Sequence, residues 1–161
     1  MIRQLCKWVA ARLPMAVIRR SDGQPYLFRY YIWQGRRYSL YLHHFVASDP
    51  DPELHDHPGK WAVGLILVGG YHEQRLRTTW APYSNPWSLR STTETVTRRL
   101  RPGQINVVRG ADFHRVLLEP GKDAWTIFVR GPRVKDWGFL QPDGSKRVVV
   151  ERLRSFAGQR V

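Results

Sequence analysis

Six histidines stand in this 161-residue chain, and three of them carry spacing that suits metal chemistry. His55 and His57 flank Asp56. Side chains alternate between the faces of an extended strand, so imidazoles at i and i+2 share one face while Asp56 points the other way. Two imidazoles on one face can share a metal ion. Gly69 follows His57 by twelve residues and breaks an apolar run. Later, Pro102-Gly103 makes a turn, Gln104 to Val108 reads as a strand, and a second turn leads to the single His114. Neutral imidazoles suit Fe(II), Zn, Ni, Mn or Cu, and three of them leave coordination positions open. An O₂-activating iron or a Lewis-acid metal needs such open positions.

This two-part pattern resembles the cupin superfamily. Its first motif is a His-x-His pair, often with an acidic residue a few positions on, and then a glycine. Its second is a Pro-Gly turn, a strand, a short turn and one histidine. The likeness runs from about residue 54 to 130, roughly half the chain, and the Gly103 to His114 spacing is the one the second motif has. The resemblance implies an all-β fold, a double-stranded β-helix (jelly-roll) barrel forming one domain over residues 1–161. It also implies a metal held by His55, His57 and His114.

Three positions depart from the pattern. The acidic ligand expected near Trp61 or Ala62 is absent, Arg109 replaces the usual proline, and Leu118 replaces the usual asparagine. The first departure leaves a three-histidine site, as in the cysteine-dioxygenase-like branch, or a metal-free cupin whose histidines act as acid and base. Glu53 reaches the site if the strand begins early, although Pro52 argues against that.

The leading expectation is an Fe(II) oxygenase or dioxygenase acting on a small molecule. The alternatives are a metal-free isomerase or epimerase of a nucleotide sugar, and a non-enzymatic barrel that binds a ligand or nucleic acid. Edge-strand pairing between cupin subunits implies a homodimer by resemblance.

Other residues could share the chemistry. His72 follows the glycine turn and is a candidate lining residue. Asp112 has the strand parity of His114 and is a candidate to orient it, although a turn-capping role fits Ala111-Asp112 equally well. Only one of His43 and His44 can face inward, and His43 has the parity of Tyr41 and Phe45. Arg75, Arg77 and Arg109 could bind an anionic substrate or stand as solvated strand residues. Trp125, Phe128 and Trp137 read as core.

The elements that must position these groups are mostly strands. Ile2, Leu5, Cys6, Val9 and Leu13 recur at helical spacing, so a short amphipathic helix opens the chain and Pro14 ends it. The aromatic-rich stretch from Tyr26 to Val46 reads as two strands about a turn at Gln34-Gly35. A loop follows from Ala47 to Glu53. Trp61–Val68 and Tyr71–Arg77 read as strands on either side of Gly69-Gly70, and Thr78 to Ser91 as a long loop. From Thr93, short strands alternate with turns at Pro102-Gly103, Pro120-Gly121, Gly131-Pro132 and Pro142-Asp143-Gly144.

Composition sets the outer bounds. The net charge is +13, with residues 1–40 contributing +7, residues 130–161 contributing +5 and the middle +1. Such a field attracts nucleic acid or phosphorylated small molecules, or is simply a solvated basic surface. No reading element for DNA is recognisable. Cys6 is the sole cysteine, so no internal disulfide forms. No apolar run reaches the ~18 residues of a membrane span, and no secretory signal stands at the start. A cytoplasmic protein is the expectation.

Overall fold

The structure is a computed structural model that describes residues 1–20, 22–83 and 85–149. Residues 150–161, which hold part of the C-terminal basic excess, lie outside them. One helix, α1 (Ile2–Ala10), precedes eleven strands: β1 (Met15–Arg19), β2 (Pro25–Gln34), β3 (Ser39–Phe45), β4 (Trp61–Val68), β5 (Tyr71–Tyr83), β6 (Asn85–Leu100), β7 (Ile105–Arg109), β8 (His114–Leu117), β9 (Ala124–Arg130), β10 (Trp137–Leu140) and β11 (Lys146–Val149). All pairings are antiparallel. No helix among the described residues is long and apolar enough to cross a membrane.

Two sheets make a jelly-roll sandwich. The first has the order β1-β2-β3-β9-β4-β7, and the second carries β6-β5-β8 and β10-β11. The crossovers follow from alternation. Along β3, Tyr41 and His43 point inward, while Leu42 turns outward to meet α1. Ile66, Tyr71, Leu100, Val116 and Ala124 form a buried cluster drawn from both sheets, which joins them at one end. The other end stays open as a cavity.

Helix α1 covers the outer face of the first sheet. Cys6 and Ala10 are buried against Leu42 and Trp125, and Val9 packs beside them. Ile2 and Leu5 remain exposed, so the buried stripe is narrower than the periodicity suggests. Arg3 and His44 both bond Asp123, which ties the helix, β3 and the start of β9 together.

The stretch Thr78 to Ser91 corrects the loop expectation. Thr78 pairs with Thr93, Trp80 with Ser91 and Pro82 with Leu89, so β5 and β6 continue as a long two-stranded arm. Beyond Arg75, among the described residues, no third strand borders β5, because β8 pairs it only from His72 to Arg75. Proline is tolerated there because an edge does not need its missing N–H.

Candidate metal centre

His55 and His114 lie 59 positions apart in sequence, yet their backbones exchange two N–H···O bonds of 2.9 Å. Residues 54–57 act as a stave between β8 and β10. Asp56 N–H donates to Gly138 O at 3.0 Å and Leu140 N–H to Leu54 O at 2.8 Å on the other side. Directly paired residues of an antiparallel ladder project to the same face, so the register of this stave delivers His55 to His114. The i+2 position adds His57.

Ring centroids then lie 5.3 Å (His55–His57), 5.2 Å (His55–His114) and 4.8 Å (His57–His114) apart. One ligand nitrogen from each falls within 4.8 Å of the others, and Nε2 of His57 stands 2.6 Å from Nε2 of His114. Nitrogens that share one ion at ~2 Å bonds lie no more than about 4 Å apart, so the cluster has the scale of a metal site.

Asp56 points away, as alternation requires. Its carboxylate accepts bonds from Lys135, from Lys146 at 2.8 Å and from Gly138 N–H at 2.7 Å. The residue between the ligands therefore anchors the next strand. Burial pushes the Asp56 carboxyl up, and these donors more than offset it, holding it below its ordinary value.

The decisive partner is Glu73 on β5, which is 0% exposed. Its Oε1 accepts the Nδ1–H of His114 at 2.7 Å, so Nε2 faces His57 with its lone pair available. A back-side carboxylate of this kind would orient the imidazole for a metal and raise its basicity. Glu73 also accepts from Asn106 Nδ2 at 2.8 Å, Arg98 Nε at 2.8 Å and Arg75 Nη2 at 3.0 Å. Burial alone pushes its carboxyl up, but His114, Asn106 and Arg75 more than offset that and hold it at about 2. Burial first, then the neighbouring ring of His114, keeps His57 far below the usual imidazole range. Burial likewise lowers His55, partly opposed by Asp49. Neutral imidazoles are the form that binds a cation.

Among the described residues the donor set is three nitrogens with no thiolate and no carboxylate ligand, which fits a borderline transition metal. Glu53 is absent from the lining of the cavity.

The cavity around the cluster measures about 540 Å³ and is lined from both sheets. Ile18, Leu27, Phe45, Val108 and Phe128 make its apolar wall; Tyr26, Arg29, His43 and Arg130 supply polar groups. Phe128 stacks on His43 at 4.8 Å and lies 6.4 Å from His57. Gly64 also lines it; a methyl there would meet only Phe128, at an ordinary 3.7 Å.

Other sequence candidates fall elsewhere. His72 has the opposite strand parity to Glu73 and lines a separate cavity of about 190 Å³ with Arg3, Arg99 and Asp123. Asp112 caps its own turn, accepting Arg109 N–H at 2.9 Å, and reaches Arg75 at 3.4 Å rather than His114. Arg75 is committed to Glu73, Asn106 and the Val107 carbonyl, and Arg77 and Arg109 are exposed outside the cavity. Trp125 is core, stacked 4.0 Å from His44. Phe128 and Trp137 line the cavity instead. Glu73, Arg29 and Arg130 were not singled out from sequence. The signal for Glu73 is its inward parity with Tyr71.

No protein-family model matches the sequence, and no curated protein matches it. Solved structures do. A cupin-2 domain protein from Rhodospirillum rubrum, Rru_A2000, superposes with a TM-score of 0.58 at 12% identity, over 83% of this chain and 78% of that one. The fold is that of the cupins. Fe(II)-HppE, with alternative substrate (S)-1-HPP, gives a TM-score of 0.53 at 16% identity over 75% of this chain. This chain spans only 57% of that chain. The polyketide cyclase RemF from Streptomyces resistomycificus gives 0.51 at 13% identity, over 76% and 75% of the two chains. At these identities the likeness establishes the fold alone.

Proposed function

We propose that this cupin is a metal-dependent enzyme that holds Fe(II) on His55, His57 and His114 and oxidises a small molecule with O₂. The observation that carries the reading is the bond from His114 Nδ1 to the buried Glu73 carboxylate, which turns Nε2 toward the other two rings. The buried carboxylate fixes the tautomer of His114, and the two further imidazoles that face its Nε2 complete a three-nitrogen donor set. An iron ion with three protein nitrogens supplies open positions for substrate and O₂.

The protein's own residues do the rest. Burial keeps His55 and His57 neutral and ready to donate lone pairs. Glu73 fixes the tautomer and orientation of His114. Phe128, Val108 and Phe45 exclude water from the reacting centre. The Fe(II) neighbour HppE supports this choice of ion by analogy of fold. Metal analysis of tag-free protein tests it: one transition-metal ion per chain, with O₂ uptake after anaerobic Fe(II) loading, is the expected result. Protein that neither retains nor takes up metal overturns it.

A second reading is favoured by one contact. The 2.6 Å approach of the two Nε2 atoms, backed by Glu73, also makes a Glu73–His114–His57 proton chain. Such a chain suits metal-free acid–base work on a carbonyl substrate, as in an isomerase. Activity that survives complete chelation would select it.

A further inference from the structure

Arg29 and Arg130 line the cavity that holds the three histidines, and both are half-buried. Other basic side chains of the barrel face carboxylates: Arg75 and Arg98 face Glu73, and Lys135 and Lys146 face Asp56, while the half-buried Arg115, outside this cavity, donates to the Pro52 carbonyl. Among the described residues, Arg29 and Arg130 have no such partner within ion-pair distance. Arg29 donates Nε–H to His43 Nε2 at 3.1 Å and lies 5.1 Å over the Tyr41 ring. Arg130 has only a long 3.4 Å bond to Ser39 Oγ.

His43 adds an independent observation. It is 2% exposed, and its Nε2 accepts from Arg29, so in the neutral ring the proton sits on Nδ1. That Nδ1 is buried without a partner. An unpaired buried donor on the ring that braces Arg29, in a cavity that Arg130 also lines without a carboxylate partner, points to a missing acceptor.

The acids of the same cavity do not supply it. Asp56 is taken by Lys135 and Lys146. Asp49 accepts Val116 N–H at 2.6 Å and faces His55 at 3.9 Å. Asp51 lines the cavity but, among the described residues, makes no ion pair with Arg29 or Arg130.

We propose that Arg29 and Arg130, with His43 bracing Arg29, form an oxyanion subsite in the wall of the cavity. The substrate is then a small molecule bearing a carboxylate or a phosphonate-type group, held at one end by guanidinium forks while its other end meets the histidine cluster. This deepens the enzymatic reading and rests on it for the word substrate, but anion binding itself does not require the metal.

Calorimetric titration of the full chain with acetate and with methylphosphonate, as purified and after chelation, tests the proposal. Saturable binding of either probe at one site per chain is expected, and the preferred probe distinguishes a carboxylate from a tetrahedral oxyanion. Arg29→Gln and Arg130→Gln should each weaken it roughly 10- to 100-fold, the usual worth of a hydrogen bond to a charged group, with bound metal unchanged. Should Arg29→Gln fail to fold, Arg130→Gln, whose one side-chain bond among the described residues is long, carries the same readout. His57→Leu separates the two readings, since it removes a metal ligand and should leave anion binding intact. No saturable binding by the folded wild type overturns the proposal. So does binding that survives both arginine substitutions, or that disappears in His57→Leu while the arginines remain.

Discussion

The Nδ1 of His114 lies 2.7 Å from Oε1 of Glu73, a carboxylate 0% exposed to solvent. Strand register creates the relationship: β5 pairs with β8 so that Glu73 stands opposite Val116 and Arg75 opposite His114. Glu73→Gln keeps the shape and removes the charge. Metal affinity should fall roughly 10- to 100-fold, the usual effect of losing an outer-shell partner. Competition against a chromophoric chelator measures it. Affinity equal to wild type would reduce Glu73 to a counter-ion for Arg75 and Arg98.

Removing that carboxylate outright should also damage the fold. Glu73→Ala leaves Asn106 and two guanidinium groups facing an empty place. Breaking one side of a buried ion pair costs about 3–5 kcal/mol. Urea unfolding of metal-free Glu73→Ala against wild type should show a loss of that order. A loss under about 1 kcal/mol would mean that water already shares the network.

The histidine triad was legible because alternation and turn chemistry are local. His55-Asp56-His57 announces its shared face, and the Pro102-Gly103 turn begins a strand that ends near His114. Glu73 was not, because its role depends on which strand lies beside β5, and pairing partners are not written in a single strand. His72 drew attention as a histidine while its neighbour held the inward parity. Arg29 and Arg130 were lost among 26 basic residues, since only the structure distinguishes a cation lacking a carboxylate from a solvated one. The β5–β6 arm was read as a loop because its prolines mark breaks in a central strand, whereas here they lie where only two strands pair.

Gly69 is required by close backbone approach rather than by metal chemistry. Its φ is +77°, and a Cβ there would stand 2.0 Å from the carbonyl oxygen of Asp123. Gly69→Ala must displace the start of β9, which carries Trp125 into the core. A destabilisation of at least about 2 kcal/mol is expected, the scale of strain at a special backbone position with a clash added. Thermal unfolding checks it, and a variant as stable as wild type would show that β9 can shift freely.

Acid should weaken the metal-free fold before any carboxylate titrates. Burial, then the charge of Arg29, holds His43 well below the imidazole value of 6.5. The unfolded chain therefore binds a proton that the folded chain refuses. Stability from this group is fully present above about pH 6.5 and falls with pH, by about 1.4 kcal/mol per unit, until the folded pKa is reached. His57 and His55 have the same sign. Urea unfolding from pH 7.5 to 5.5 should show a steep decline, less steep in His43→Phe, whose ring can still stack on Phe128. Flat stability over that window would place these rings in water.

Metal should reverse part of that loss, and it does so only through an intact triad. An ion that binds the folded chain alone stabilises it by about 2.7 kcal/mol at one hundred times its dissociation constant. His57 is held neutral by burial and contributes lone pairs rather than charge. His57→Leu replaces a half-buried polar ring with an apolar group, so the metal-free protein should unfold at nearly the wild-type denaturant concentration. Adding Fe(II) without oxygen, or Zn²⁺, should then raise the wild-type midpoint and leave His57→Leu where it was. An equal rise in both would assign the ion to a different site, because two of the three nitrogens alone cannot give the affinity of three.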